Sequence, residues 1–343
     1  NAIQDGSPLC SFPNPFLSIN GTAPSQSVAG YSPTAENGYI QQFNLTLERQ
    51  IKDMGFRIIY GGTRARGLNY SLNLNIPQPS TVAFSAARRP FPQFVSATMV
   101  ETDGRTNYDA LTVEALRRVG SVTFDAFWTL EHNQSDFLNL QNPYDHKFWN
   151  RTSYSPNQIA TINASWQLPI GRHQKFLSNA PAVVNGVLGN WQLYFMCYFQ
   201  SGLFFSPTYS GADPANVGAS SGYPDRIANG NLPSGDRSLS RWFDTSAFRV
   251  PSLGKFGNSG VNILEGPGLS AQHVSIVKDF SILERLKLQL TLAVSNLFNH
   301  PNFLPPSGNI SVPQGNIITS DVGPYSQLKG GPRSMEGRIR ISF

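Results

Sequence analysis

Hydrophobic residues recur at every second position along most of this chain, and no convincing 3.6-residue repeat of helix length interrupts them. In "LKLQLTLAVS", residues 286–295, Leu286, Leu288, Leu290, Leu292 and Val294 alternate with Lys287, Gln289, Thr291, Ala293 and Ser295. The pattern predicts nine strands. Their apolar faces are Phe43, Leu45 and Leu47 in 37–50; Phe56, Ile58 and Tyr60 in 54–66; and Leu111, Val113 and Ala115 in 106–118. Next come Val122 to Leu130 in 120–132, Ala160 to Leu168 in 157–168 and Trp191 to Phe199 in 189–201. Val274, Ile276 and Phe280 follow in 270–280, then 286–295, and finally Ile339, Ile341 and Phe343 in 334–343. A shorter candidate covers 93–101. The opposite faces carry Asn, Thr, Ser and charges such as Glu48, Arg57, Glu114, Asp125, Lys287, Arg338 and Arg340, as a wetted wall would.

Strand length and connection length then separate two all-β architectures. Strands in globular sandwiches run about five or six residues, whereas a tilted strand crossing a bilayer needs about 9–11. Short links near 51–53, 119 and 281–283 alternate with long ones at 67–105, 133–156, 202–267 and 299–333; 169–188 takes a short-link place and holds a small helix near 180–188. Short turns at one end and long loops at the other are how transmembrane barrels are built. The predicted fold is all-β, an antiparallel transmembrane β-barrel, with 1–36 an extracellular-side lead-in and 37–343 barrel wall. Nine strands, or eleven if 67–105 holds two more, are an odd number, and an unpaired edge in lipid is costly. The expectation is therefore part of a larger barrel whose remainder lies upstream.

Composition agrees with this reading. Of 343 residues only 14% are charged and 12% are aromatic, with 30 glycines and 25 prolines, as a turn-rich β-protein requires. The net charge of +5 is spread out, with no basic run that would suit nucleic acid. Cys10 and Cys197 form no metal or redox motif, and Cys197 falls on the lipid side as a free thiol.

In this setting the pieces "YIQQFNLTLERQI", "NYDALTVEALRR", "INASWQLPIGR", "GNWQLYFMCYFQSGLFFSP", "WFDTSAF", "FGNSGVNILEGPGL" and "SNLFNHPNF", ending in "RIRISF", come in a familiar order. The chain resembles the C-terminal half of the barrel in Oar-like TonB-dependent outer-membrane receptors. The resemblance implies a barrel of about 22 strands in the bacterial outer membrane. It also implies an N-terminal plug and barrel half outside this chain, a TonB complex acting through that plug, and passage of a bulky solute. Ile339, Ile341 and Phe343 match the terminal signal read by the barrel assembly machinery, although its usual glycine falls at Gly337 rather than at 338.

Candidate chemistry is sparse. "GPGLSA" at 266–271 leads into a strand and lacks the context of a dinucleotide site. His273 and Ser275 share an inward face without a readable orienting group, and nothing else points to an enzyme or a cofactor. Asp213, Asp225, Asp236 and Asp244 lie in the long loop at no known calcium spacing. Loop aromatics Tyr144, Trp149, Tyr154 and Trp242 are the candidate ligand contacts, since aromatic platforms suit sugars and peptides and also anchor loops. The rival to a receptor is a structural or adhesive outer-membrane barrel that meets other envelope proteins.

Overall fold

A computed structural model describes residues 26–281, 286–323 and 330–343. It contains a short lead strand β1 (Gln26–Tyr31), then β2 (Tyr39–Ile51), β3 (Met54–Asn73), β4 (Phe94–Arg117), β5 (Val122–Ser135) and β6 (Gln158–Gln167). A short helix α1 (Ala182–Leu188) precedes β7 (Trp191–Gln200), β8 (Leu269–Ser281), β9 (Lys287–Ser295) and β10 (Ser334–Ser342). Strands β2 to β10 pair in sequence order, each antiparallel to the next, as one continuous wall. All nine expected strands are present. The turn expected at 281–283 falls mainly outside the described residues.

Two expectations need correction. Residues 67–105 are not a loop throughout: β3 continues to Asn73 and β4 starts at Phe94, so only 74–93 is irregular. The separate candidate at 93–101 is the first part of β4. In these extensions Tyr70 and Leu72 still alternate with exposed Ser71 and half-buried Asn73, but their buried face packs under the loop after β5, through Phe137 and His146. Irregularities between Arg66 and Leu68 and between Leu68 and Tyr70 mark the change, with Gly67 at φ +71. The sheet is also not wholly antiparallel, because β1 runs parallel to β4 from Gln26 opposite Phe94 to Tyr31 opposite Val100. It occupies the edge of β4 beyond the end of β5, where backbone donors would otherwise be unpaired.

The pairing register measures the strand tilt. A row of directly opposed residues runs from Leu47 through Ile58, Val113, Trp128, Ala160 and Phe199 to Ser270. The apolar face of β8 is centred lower, near Ile276, six residues on and six strands away from β2. The belt thus slips about one residue per strand; a rise of ~3.3 Å against a spacing of ~4.8 Å gives a tilt of about 35°, within the range of transmembrane barrels. A flat belt across untilted strands would have followed the hydrogen-bonded row.

The belt edge is visible too. Beyond Tyr60 and Leu111 the same face turns polar: Tyr60 donates to Asp109 at 2.7 Å, and Arg64 Nη2 lies 2.8 Å from the same oxygen. Gly62, between these rows, leaves room for the ring of Phe43 on the neighbouring strand; a Cβ there would lie 2.3 Å from it.

The tilt makes a direct prediction. Single cysteines at Leu47, Ser270 and Ile276, in a background with Cys10→Ser and Cys197→Ser, carry an environment-sensitive probe. Probes at 47 and 276 should be quenched by lipids brominated mid-chain. The probe at 270 should not be, despite sharing a paired row with 47. Equal quenching at 47 and 270 would refute the tilt.

Candidate functional site: inner wall and extracellular cap

The polar face of the wall is tied across strands by its own side chains. Arg57 on β3 sits between Glu48 on β2 and Glu114 on β4, with N–O distances of 3.3 Å to each. Thr112 meets Thr129 at 2.8 Å, and Thr123 meets Ser165 at 2.7 Å. Directly opposed cross-strand pairs of this kind stabilise a sheet by about 0.2–1 kcal/mol each.

Two concavities open on this face. The lower, about 530 Å³, is lined by Thr123, Asp125, Asn163, Tyr194, His273 and Ser275 among others. Asp125, Asn163, Met196 and His273 stand in one paired row, while Thr123, Ser165, Tyr194 and Ser275 stand in the next. His273 and Ser275 therefore share a hollow with a carboxylate, yet they belong to adjacent rows of an open polar wall. Among the described residues no three His, Cys, Asp or Glu side chains come together as a metal site would require.

The upper concavity, about 430 Å³, lies where the wall meets the loops. Glu131 is its fixed point, accepting hydrogen bonds from Tyr108 at 3.0 Å and Ser155 at 2.6 Å. Tyr198 and Gln200 line it from β7, Leu203 and Leu304 from the loops above, and Tyr154 from the loop after β5. Tyr154 is 70% exposed, so its ring is available to anything that enters.

The loops above are not loose. Phe243, Ala247, Phe248 and Leu264 form a buried apolar cluster, with Phe205, Ile263 and Ile310 against it. Phe243 meets Phe205 and Phe248 edge to face, with ring centroids 5.8 and 6.2 Å apart. Paired dipeptides, Phe204–Phe205 with Leu264–Glu265 and Asp225–Arg226 with Phe248–Arg249, hold the backbone around it. Loop-to-loop hydrogen bonds then join separate segments into one cap: Arg88 to the Asn216 carbonyl at 2.7 Å, Asn262 to the Arg151 carbonyl at 2.6 Å, and the Trp242 amide to the Asn316 carbonyl at 2.9 Å.

The loop aromatics divide within this cap. Tyr144 donates to the Ile76 carbonyl at 2.7 Å, and the Trp242 indole N–H donates to the Glu265 carbonyl at 2.8 Å beneath Arg237. Exposure does not follow this division: Tyr154 is the most exposed of the four candidate rings, while Tyr144 at 46% is as open as Trp149 at 42%. The four loop aspartates are used separately. Asp213 accepts the amides of Val217 and Gly218, Asp225 faces Arg249, Asp244 accepts from Ser246, and Asp236 stands in a short 3-10 turn.

Sequence reasoning missed two structural groups here. Asn296 and Asn302, in "SNLFNHPNF", are almost fully buried. Asn296 donates to the carbonyls of His300 and Gly331 at 2.9 Å, while Asn302 donates to those of Ser270 and Gly330 at 3.0 and 2.8 Å. Asn296 and Asn299 have φ of +49 and +52, a left-handed conformation that asparagine tolerates better than most residues. This chemistry was legible as a turn but not as a clamp, because the partners are distant in sequence.

The other missed group is a latch on the extended β3–β4 hairpin. Tyr70 donates to Asp103 at 2.8 Å, its oxygen is 3.0 Å from His146 Nε2, and its ring stacks on Phe137. Lys147 reaches Asp103 at 2.7 Å and lies 4.3 Å above the Tyr70 ring. Burial raises the Tyr70 pKa first, and the adjacent Asp103 adds to it. For Asp103 burial opposes ionisation, but hydrogen bonds from Lys147 and Tyr70 outweigh it and hold the carboxyl below its ordinary 3.8. Its contribution is therefore complete above that pH and is lost as the pH falls through the folded-state value. Pepsin nicking of 136–157 should accelerate as the pH drops below 3.8, and Asp103→Asn should flatten that dependence. An unchanged profile in the variant would show that the latch does not hold the loop.

No curated protein matches the chain in sequence. Among solved structures it is similar to the outer membrane transporter YddB from Escherichia coli, at 9% identity and a TM-score of 0.47, covering 93% of this chain and 34% of that one. It is also similar to the FrpB iron transporter from Neisseria meningitidis, at 8% identity and a TM-score of 0.44, covering 92% and 33%. The chain thus spans about a third of the length of these structures. The family model described as "Outer membrane beta barrel domain" matches residues 1–335. Nine tilted strands with one apolar and one polar face, under a cap of long loops, are the wall of such a barrel: the chain belongs to the outer membrane β-barrel domain family and resides in the outer membrane of a Gram-negative bacterium.

Proposed function

We propose that this chain is part of the wall and cap of a TonB-dependent outer-membrane receptor of the Oar-like kind, which admits a bulky solute. The observation that carries the proposal is the upper concavity: a polar inner wall roofed by an ordered cap, with Tyr154 exposed and Glu131 held in place between them. The family membership and the ordered motifs support it. In this reading the remaining strands of a barrel of about 22 pair with the free edges of β2 and β10, and a plug fills the polar interior. The TonB complex acts through that plug, while this chain captures and encloses the solute without covalent chemistry.

Trp149 and Tyr154 are the proposed solute contacts, while Tyr144 and Trp242 hold the cap in shape. Ile339 and Ile341 on the last strand and Phe343 just after it, at 71%, 61% and 99% exposure, are the residues the assembly machinery is proposed to read. Outer-membrane lipids cover the opposite, apolar face.

The full-length protein in a planar bilayer tests this reading. A gated receptor should be closed in buffer and should open large, reversible conductances when urea unfolds the plug. It should also bind the periplasmic domain of TonB. A steady conductance indifferent to urea, with no TonB binding, would instead support a structural or adhesive barrel.

A further inference from the structure

The link between β6 and β7 breaks the economy of its end of the wall. Its neighbours at that end turn within 52–53 and 118–121, whereas this link occupies 168–190. It is folded: Gly171 donates to the Phe176 carbonyl, Phe176 to the Pro169 carbonyl, and Asn185 Oδ1 accepts the Arg172 amide at 2.7 Å. It is also fixed to the outside of the wall. The Trp191 indole donates to the Val187 carbonyl at 3.1 Å, and the Lys278 amine, nearly fully buried, donates to the Gly189 carbonyl. Lys278 lies among the rings of Trp191 and Phe280, on the same face as Ile276 and paired in row with Trp191.

What this link presents to its surroundings is unusual. Phe176, Leu177, Val183, Val187 and Leu188 are 45–78% exposed, with Val183 the most exposed. Residues 168–190 contain Arg172, His173 and Lys175 but no Asp or Glu. An apolar patch that starts where the lipid-facing belt ends, edged by cations and free of anions, has the composition of a segment lying in a membrane interface. Short turns mark the periplasmic end of a barrel, and that leaflet supplies phospholipid.

We propose that 168–190 is an interfacial anchor: its valines and leucines rest at the headgroup–acyl boundary of the periplasmic leaflet, and Arg172 and Lys175 engage the phosphates of anionic phospholipid. The anchor extends the lipid-facing surface sideways from β6 and β7, and the Lys278–Gly189 bond sets its depth. Such cations favour anionic over zwitterionic headgroups by about fivefold each near a surface.

The test uses the full-length protein in a cysteine-free background, with an environment-sensitive probe at Val183→Cys or, separately, Val187→Cys. Heat-modifiable migration verifies a folded barrel for each. In phosphatidylcholine vesicles containing brominated phosphatidylglycerol, both probes should show blue-shifted emission and be quenched. Bromines near the carbonyls should quench more than bromines near the chain ends. Combining either probe with Arg172→Gln and Lys175→Gln should cut quenching by brominated phosphatidylglycerol several-fold and leave quenching by brominated phosphatidylcholine unchanged. Probes that stay water-exposed, or that are shielded but unquenched by any lipid because protein covers them, would overturn the proposal. Equal quenching by both lipids before and after the substitutions would overturn its anionic specificity.

Discussion

Every backbone N–H and C=O that enters the hydrocarbon must find its partner on a neighbouring strand, since lipid offers none. That single demand explains most of this chain. It forces strands long enough to cross, paired in sequence order so that each has a neighbour as soon as its hairpin closes. It lets each side chain choose only between two solvents, oil on one face and water on the other. The one-residue slip of the belt per strand is the same demand seen in projection, because strands curving around a barrel must tilt to close it.

The demand also inverts the usual location of a hydrophobic core. Within the bilayer apolar side chains gain little by clustering, since the acyl chains are equally apolar. The buried apolar cluster around Phe243 lies instead among the loops, where water surrounds the cap and burial is rewarded at about 25 cal/mol per Å². The wall is built by hydrogen bonds and the cap by exclusion of water. The two meet at residues with a foot in each: Glu131 on β5, bonded to Ser155 above, and Tyr70 on the hairpin that rises out of the belt.

Legibility in the sequence followed the same division. Strands facing lipid announce themselves by alternation, so all nine were readable, and so was the small helix at Ala182–Leu188. The upper parts of β3 and β4 were not, because beyond the irregular register at Gly67 the alternation of Tyr70 and Leu72 is short, and the loop residues Phe137 and His146 that cover it lie far along the chain. The pairing of β1 with β4 depends on an edge left open when β5 ends, which is a fact about another strand's length. Among the loop aromatics, sequence offered the residues but could not tell which of them hydrogen-bond to the cap. That choice rests on carbonyls far along the chain, such as Ile76 for Tyr144 and Glu265 for Trp242.

The buried amide of Asn302 has a reach beyond its own turn. It joins the first residues of β8 to the glycine that leads into β10, while the Leu297 amide returns to the Gln272 carbonyl on β8. A two-residue slip between these strands would keep every side chain on its proper face, so the oil–water division cannot detect it. The Asn302 clamp acts on a different quantity, the path of the chain between strands, because its amide holds one backbone position at the start of β8 and one before β10. In a sheet whose pattern is nearly self-similar along each strand, this asparagine pins the place where the loops leave and rejoin the last three strands, which the oil–water division alone leaves unspecified.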